Sequence, residues 1–463
     1  RLPTEIAAFL YFSFRAAADS GTQPVLKSAT DLSAKRALLV VSSYCPAMPA
    51  NMHRVRLMAW HLRELGWDFD ILCPAMTFQR PEWIDPDASR FFAPEASVIE
   101  AGSIPGRGFL DALGIRSASW QALLPMYQAG ATALRRQKYD LVFISTTAFN
   151  FFCLGRLWRR QFGTPYILDF QDPWFRESRG LKTTKHVWKG RIGNRLSRYM
   201  EFFAVQKADG MVSVSANYLE VLKSRYPTSV SFERGNFATI PFGARGDDFP
   251  PVTTSKKPGV PLTIGYVGVG SVVMEKSFRR LAMGLARLRR QQPDLVNRIR
   301  LQLFGTDGGW REGDLKILQH QADIAGIGDL VAEDPRIVPY SQATAIAAAA
   351  DSLLVLGVDD PAYMASKLFS YAQLGKPLLA CLHRASQMNG YFEKYPELGT
   401  VIHFGISEDE EKKEDALILD FLEQLATNEA VDRKTVLAEH SSLAMTRNIV
   451  ELFAKCTSLG TPA

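Results

Sequence analysis

Two rhythms of apolar residues alternate along the chain. Short continuous apolar runs mark buried strands, and between them apolar residues recur at the three- and four-residue spacing of one helix face. The first series of runs is Arg36–Ser43, Phe69–Cys73, Leu141–Ser145, Tyr166–Phe170 and Met211–Ser215. A second series follows at Leu262–Val267, Arg300–Gly305, Arg336–Pro339, Ser352–Gly357 and Leu378–Leu382. Helical spacing fills the intervals at Arg54–Leu65, Ala122–Gln137, Phe149–Phe162, Ile192–Phe203, Asn217–Arg225, from Met274 onward, Gly313–Gly326 and Ser341–Ala350, and again at Leu437–Lys455. Strands alternating with helices predict an α/β protein with parallel sheets.

The rhythm lapses in three places. Residues 1–34 precede the first strand, with Ile6, Phe9, Leu10 and Phe14 at helical spacing. Pro74–Ser119 is rich in Pro, Gly and Phe and reads as a long insertion or lid over the carboxyl edge of the first sheet. Residues 250–261 (PPVTTSKKPGVP) read as a linker. The chain of 463 residues is too long for one core and suits two domains of about 200 residues each. The expected division is an extension at 1–34, a first domain at 35–249, a second at 262–436, and a final helix within 437–463 that crosses back to the first.

Composition narrows the class. Hydrophobic content of 47% and charged content of 22% are ordinary for a globular protein. The longest apolar stretch, Ala345–Leu356, is broken by Asp351 and falls short of the roughly 20 residues that span a bilayer. Five scattered cysteines suggest neither a disulfide framework nor a four-cysteine zinc site, and a reducing cytoplasm is expected. The chain begins on Arg1, so a native start before it is expected. Between Arg176 and Lys207 nine Lys or Arg stand against Glu177 and Glu201, an excess larger than the whole-chain net charge of +6. Trp188, Tyr199, Phe202 and Phe203 interleave with those charges, a pattern that fits an anionic membrane surface. No signature of a nucleic-acid-binding module accompanies it, so no nucleic-acid partner is expected.

Candidate chemistry gathers at strand ends. Asp359–Leu379 begins after the strand at Ser352–Gly357, forms a helix that Gly375 stops, and leads into the next strand; such loops at the carboxyl ends of parallel strands bind ligands. Gly265, Gly268, Gly270 and Ser271 make a glycine-rich turn into a helix, which holds a diphosphate on backbone N–H groups when they are free, and Lys276 follows. In the first domain, Asn51, His53 and Arg54 close the loop after the first strand, either as ligand contacts or as a helix cap with solvated bases. Asp169 and Asp172 lie at the end of the strand Tyr166–Phe170, and Asp172 could equally cap its loop. The Asp-x-Asp pairs at Asp68–Asp70 and Asp85–Asp87 carry little weight as metal ligands.

Ser366-Lys367-Leu368-Phe369-Ser370-Tyr371 with Gly375-Lys376-Pro377 resembles the donor-site segment of family 4 glycosyltransferases of the exopolysaccharide and lipid-linked glycan type. One branch of that family reads Pro-x-Lys-x-x-Glu-Tyr-x-x-x-Gly-Lys-Pro there. Asp169–Trp174 resembles the family's D-x-R-D-P-W, and Ile240–Phe249 its I-P-N-G-x-D-x-x-x-F. The resemblance spans residues 36–455. It implies two Rossmann-like domains whose parallel sheets face a central cleft, the GT-B architecture. It also implies retaining transfer of a sugar from a nucleotide sugar to a lipid-linked or oligosaccharide acceptor, in polysaccharide or glycoconjugate synthesis. No metal or other cofactor is expected, since lysine and helix dipoles neutralise the leaving diphosphate. The protein would work in the cytoplasm, peripheral on the inner face of the cell membrane.

Carried onto this chain, the resemblance makes Asp169 and Asp172 the catalytic candidates. Gly268, Gly270, Ser271 and Lys276 would hold the donor's diphosphate, and Lys367, Ser370 and Tyr371 its ribose or sugar. Asn51, His53, Arg54, Gln171 and Trp174 would face the acceptor. Three positions depart from the family: Ser370 stands for Glu, Gly270 for Arg, and Gln171 for a His, and an amide is no general base. Asp359 or Asp360 would partly replace the missing Glu. The same departures support a non-catalytic glycan-binding or scaffold subunit, and they weigh against an epimerase of the same architecture.

Overall fold

A computed structural model describes residues 35–102, 117–175, 187–251, 259–427 and 431–458. The amphipathic spacing at Ile6–Phe14, most of the linker and the basic residues 176–186 lie outside the described residues. Among the described residues, thirteen strands form two sheets in which every strand pairing is parallel. The first holds β1 (Lys35–Val40), β2 (Trp67–Pro74), β3 (Ser97–Ala101), β4 (Leu141–Ser145), β5 (Tyr166–Phe170), β6 (Gly210–Ser213) and β7 (Phe237–Thr239), in the order β3-β2-β1-β4-β5-β6-β7. The second holds β8 (Leu262–Val267), β9 (Ile299–Phe304), β10 (Val331–Asp334), β11 (Ser352–Leu356), β12 (Leu378–His383) and β13 (Thr400–Phe404), in the order β10-β9-β8-β11-β12-β13. Strand order therefore reverses between β1 and β4 and again between β8 and β11. Crevices for ligands open at the carboxyl ends of strands at such points.

The central strands are apolar throughout because helices cover both faces. β4, β5 and β11 are buried along their whole length. One face of the first sheet is completed from the far end of the chain. Helix Ser442–Ser458 buries Met445, Ile449, Leu452, Phe453 and Cys456 there, and the Phe453 ring meets Trp67 at 5.1 Å and Phe143 at 5.3 Å.

Several elements differ from the pattern reading. The irregular stretch Pro74–Ser119 contains the edge strand β3. The strand read at Arg336–Pro339 lies earlier, at β10. Its Glu333 is a buried carboxylate that takes hydrogen bonds from Thr306 Oγ1 and the Gln319 amide (2.8 Å), so a charge sits where an apolar residue is the rule. β13 carries no apolar run, because only Ile402 and Phe404 turn fully inward. The helix read from Gly313 starts at Ile317, and the donor-segment helix is only Leu368–Ala372. The final helix is two, Lys434–His440 and Ser442–Ser458. Ser441 between them is extended and bridges to Ala244; Ala244 N–H donates to His440 O (2.9 Å) and Ser442 N–H to Ala244 O (2.7 Å).

Candidate active site

In the first domain the crevice between β1 and β4 is closed by Asn51. Its amide nitrogen donates to Ser42 Oγ (2.9 Å) after β1 and to Thr147 Oγ1 (2.8 Å) after β4. Two positions on, the part-buried His53 accepts at Nδ1 from Arg56 Nε (3.1 Å) and packs at 4.8 Å on the Tyr340 ring. Burial, then the Arg56 guanidinium, holds its pKa well below the ordinary value, so the imidazole is neutral.

Arg54 does not reach toward an acceptor. It is fully buried and donates to Asp169 Oδ2 (2.7 Å) and to the carbonyls of Ile240 (2.7 Å) and Pro241 (3.4 Å), with Phe242 under its guanidinium at 5.0 Å. Asp169 is equally buried. Its Oδ2 also accepts from Ser145 Oγ (2.7 Å) and Gln171 Nε2 (3.3 Å). Gln171 turns inward as well, donating to Asn51 O and Ser145 Oγ, each at 2.9 Å. These three residues form one buried hydrogen-bonded knot. Asp172, in the loop after β5, is part-buried. It lies close enough to Tyr363 of the second domain to help burial push that phenol up to about 12. Trp174 stacks on Phe149 at 5.6 Å and meets Phe152 edge-on at 5.9 Å, anchoring this loop.

In the second domain the glycine turn closes on itself. Gly268 N–H donates to Phe304 O and Gly270 N–H to Thr306 O, both at 2.8 Å, so neither donor is free for a phosphate. Gly268 has φ +139°, open to glycine alone, and Ser271 has φ +33°. Ser271 Oγ donates to Asp307 Oδ2 (3.2 Å). Lys276 is half-exposed and paired with Asp359, which lies 3.8 Å from His383 Nε2. Asp360 takes the Ala362 N–H at 3.0 Å and so caps its own loop. Tyr371 does not line a ribose site: its buried hydroxyl accepts from Val267 N–H (3.1 Å), under the end of β8. Ser370 is part-buried beside it. Arg280, on the helix that follows the glycine turn, is buried against Asp415 (3.0 Å) and the carbonyls of Glu411 (2.7 Å) and His403 (3.2 Å).

Lys367 stands apart. Its amine donates to Val267 O (2.6 Å) and lies 4.2 Å over the Tyr266 ring, and a Cβ on Gly268 would fall 2.1 Å from it. This puts the amine at the glycine turn. Burial lowers its pKa from 10.5 to about 7.

The two domains meet around these groups through contacts that no motif signalled. Gln387 Nε2 donates to Ser215 Oγ (2.7 Å) and Ala362 O (2.6 Å). Asp85 accepts from Ser341 N–H (2.7 Å) and Oγ (2.9 Å), and Arg56 pairs with buried Asp248 (2.6 Å), which also accepts from Tyr340 (3.1 Å). Each pairs residues far apart in sequence, which neither spacing nor periodicity reveals. A cavity of about 990 Å³ lies elsewhere, at the amino ends of β1–β3 beside helix Ala118–Arg136.

Residues 53–227 match the glycosyl transferase 4-like domain. The chain has the GT-B fold. It is similar to the Anabaena protein Alr3699/HepE, solved in complex with UDP, at a TM-score of 0.55 and 13% identity over 90% of this chain and 99% of that one. WaaG, a glycosyltransferase involved in lipopolysaccharide biosynthesis, gives 0.54 and 15% over 92% and 100%. The pneumococcal O-GlcNAc transferase GtfA, in complex with UDP and GlcNAc, gives 0.55 and 9% over 91% and 99%. No curated protein sequence matches the chain. The likeness to the solved structures is one of fold, and the family match lies wholly within the first domain of this GT-B chain.

Proposed function

We propose that this GT-B chain transfers a sugar from a nucleotide sugar to a glycan acceptor. One observation carries the reading: the Lys367 amine, with no carboxylate partner among the described residues, is held at a glycine turn, at the strand ends where the two domains meet. A diphosphate leaving group needs a cation held in place there, and preorganised charge is worth most in a site that excludes water. Lys276, on the next helix, supplies a second cation once it releases Asp359. Asp172 would then be the carboxylate that acts on the acceptor, while Arg54, Asp169 and Gln171 hold its strand in position. Transfer would be retaining and independent of metal. HepE and GtfA, solved with UDP, support a uridine diphosphate donor as the first to test.

The acceptor would be lipid-linked, and the protein cytoplasmic and peripheral on the membrane. Lys182 and Lys185 lie outside the described residues. The helix Val187–Val205 that continues the basic stretch exposes Tyr199 and Phe202 beside Arg195 and Arg198. No helix among the described residues is long and apolar enough to cross a membrane.

The non-catalytic reading is favoured by one observation: Gln171, where relatives carry a His, is tied into a buried network. A panel of nucleotide sugars, screened by thermal shift and then by nucleotide release with lipid-extract and oligosaccharide acceptors, separates the two. Release with an acceptor supports transfer. Binding without turnover, or no binding across the panel, refutes transfer and favours the subunit.

A further inference from the structure

The second domain reaches into the first beside the crevice that Asn51 closes. Tyr340, at the start of helix Tyr340–Ala349, packs against the apolar core that includes Ala37 and Leu39 of β1, its ring edge-on to Phe91 at 4.9 Å. The next residue, Ser341, is pinned through N–H and Oγ to the buried Asp85 carboxylate of the first domain. Arg56 lies 5.2 Å over the Tyr340 ring, and both groups reach the carboxylate of Asp248. The two outer nitrogens of Arg56 are engaged by Asp248, at 3.1 and 2.6 Å, and by Phe91 O at 3.1 Å. Its Nε–H is left, and that donates to His53 Nδ1 (3.1 Å). The His53 ring lies against the ring of Tyr340 at 4.8 Å. These contacts fix the imidazole. A guanidinium only donates, so Nδ1 accepts, its lone pair is taken, and the ring proton sits on Nε2. The depressed pKa agrees with this, burial first and then Arg56 disfavouring the cation. No group among the described residues takes up Nε2–H, and the ring is part-buried. A histidine that served the core alone would have both nitrogens paired.

We propose that Tyr340 is a positioning residue of the acceptor side: from across the cleft, with Arg56, it holds His53 so that Nε2–H is offered to a hydroxyl oxygen of the acceptor sugar. The inference rests on the transfer reading above, and it gives the acceptor side a hydrogen-bond donor of fixed tautomer that needs both domains. His53 is then a donor and not a base, because the lone pair of its other nitrogen is spent on Arg56. An N–H already aimed by a ring contact and a hydrogen bond loses little freedom when a ligand arrives, so more of the bond appears as affinity. The cations suited to a leaving diphosphate, Lys276 and Lys367, belong to the second domain. The His53 ring belongs to the first, at the carboxyl end of β1 two residues past Asn51, which assigns it to the acceptor.

The test has two arms, both on the full chain. In protein labelled with ¹⁵N at histidine, with His53→Gln for assignment, the His53 ring should show the Nε2–H tautomer alone and keep it from pH 8 to pH 6. Transfer is then assayed with UDP-glucose, followed by the other nucleotide sugars, over the same lipid-extract and oligosaccharide acceptors. His53→Leu should raise the acceptor KM by about two- to tenfold and leave the donor KM unmoved. His53→Gln, which returns an N–H near the position of Nε2, should recover most of that rise. Tyr340→Leu should raise the acceptor KM as His53→Leu does, Tyr340→Phe should recover it, and the two leucine substitutions together should add nothing further. An Nδ1–H tautomer, or a ring that protonates at the ordinary value of about 6.5, overturns the proposal. So does a rise confined to the donor KM, an equal effect of Leu and Gln at His53, or full additivity of the two leucine variants, each of which leaves the transfer reading standing. Failure of every acceptor to give turnover overturns both.

Discussion

Arg54→Met tests whether the Arg54–Asp169 pair is scaffold or chemistry. Both groups are fully buried, and the guanidinium holds together the first helix, β5 and the loop after β7 through Asp169, Ile240 and Pro241. Methionine keeps most of the volume and removes the charge. Asp169 would keep hydrogen bonds from Ser145 and Gln171 but would lose its counter-ion. Removing one partner of a buried pair costs about 3–5 kcal/mol, because the other charge is left uncompensated. Urea unfolding followed by tryptophan fluorescence is the assay, since all of the eight tryptophans except Trp310 lie in the first domain. Arg54→Met with Asp169→Leu leaves no stranded charge and should recover most of the loss. A cost below about 1 kcal/mol in the single variant, or a double variant worse than the sum of the singles, would refute the scaffold role. If the recovered double variant also turns over donor, Asp169 is not a catalytic group.

Lys276→Ala should weaken UDP binding by about 1.5–3 kcal/mol in calorimetry, through loss of a charge-assisted contact. Its effect on stability should stay under about 1 kcal/mol, because the Lys276–Asp359 pair is half-exposed. Asp85→Ala strips both partners from Ser341 at the start of helix Tyr340–Ala349, so it should cost about 0.5–2 kcal/mol and speed hydrogen exchange across that first turn. Replacing Lys182, Lys185, Lys189 and Arg191 with serine should abolish binding to anionic liposomes at low salt, each charge being worth about 1 kcal/mol. Wild-type protein that ignores such liposomes would end the membrane reading.

The two sheets were legible because their central strands are uninterrupted apolar runs. β4 and β5 lie where the pattern put them, and β8 does too. The edge strands were not, because an edge carries half its pattern: β3 buries only Ala101 fully, and β10 hides a carboxylate. Of the candidate residues, the sequence made the strand-end positions legible but not the side-chain directions. Gln171, Arg54 and Tyr371 lie where the motifs put them, and their side chains point inward. Which way a side chain turns at a strand end depends on partners such as Ser145 and Val267, at positions the motifs do not include. The cross-domain contacts of Asp85, Tyr340 and Gln387 had no local signal at all, since each partner lies in the other domain.

Hydrogen exchange with and without UDP tests the central claim most directly: that the nucleotide binds the second domain at the turn between β8 and its helix, against Lys367. The account predicts protection concentrated in residues 267–276 and 363–371. Protection confined to the first domain or to the cavity at the amino ends of β1–β3, or none at saturating UDP, would contradict it.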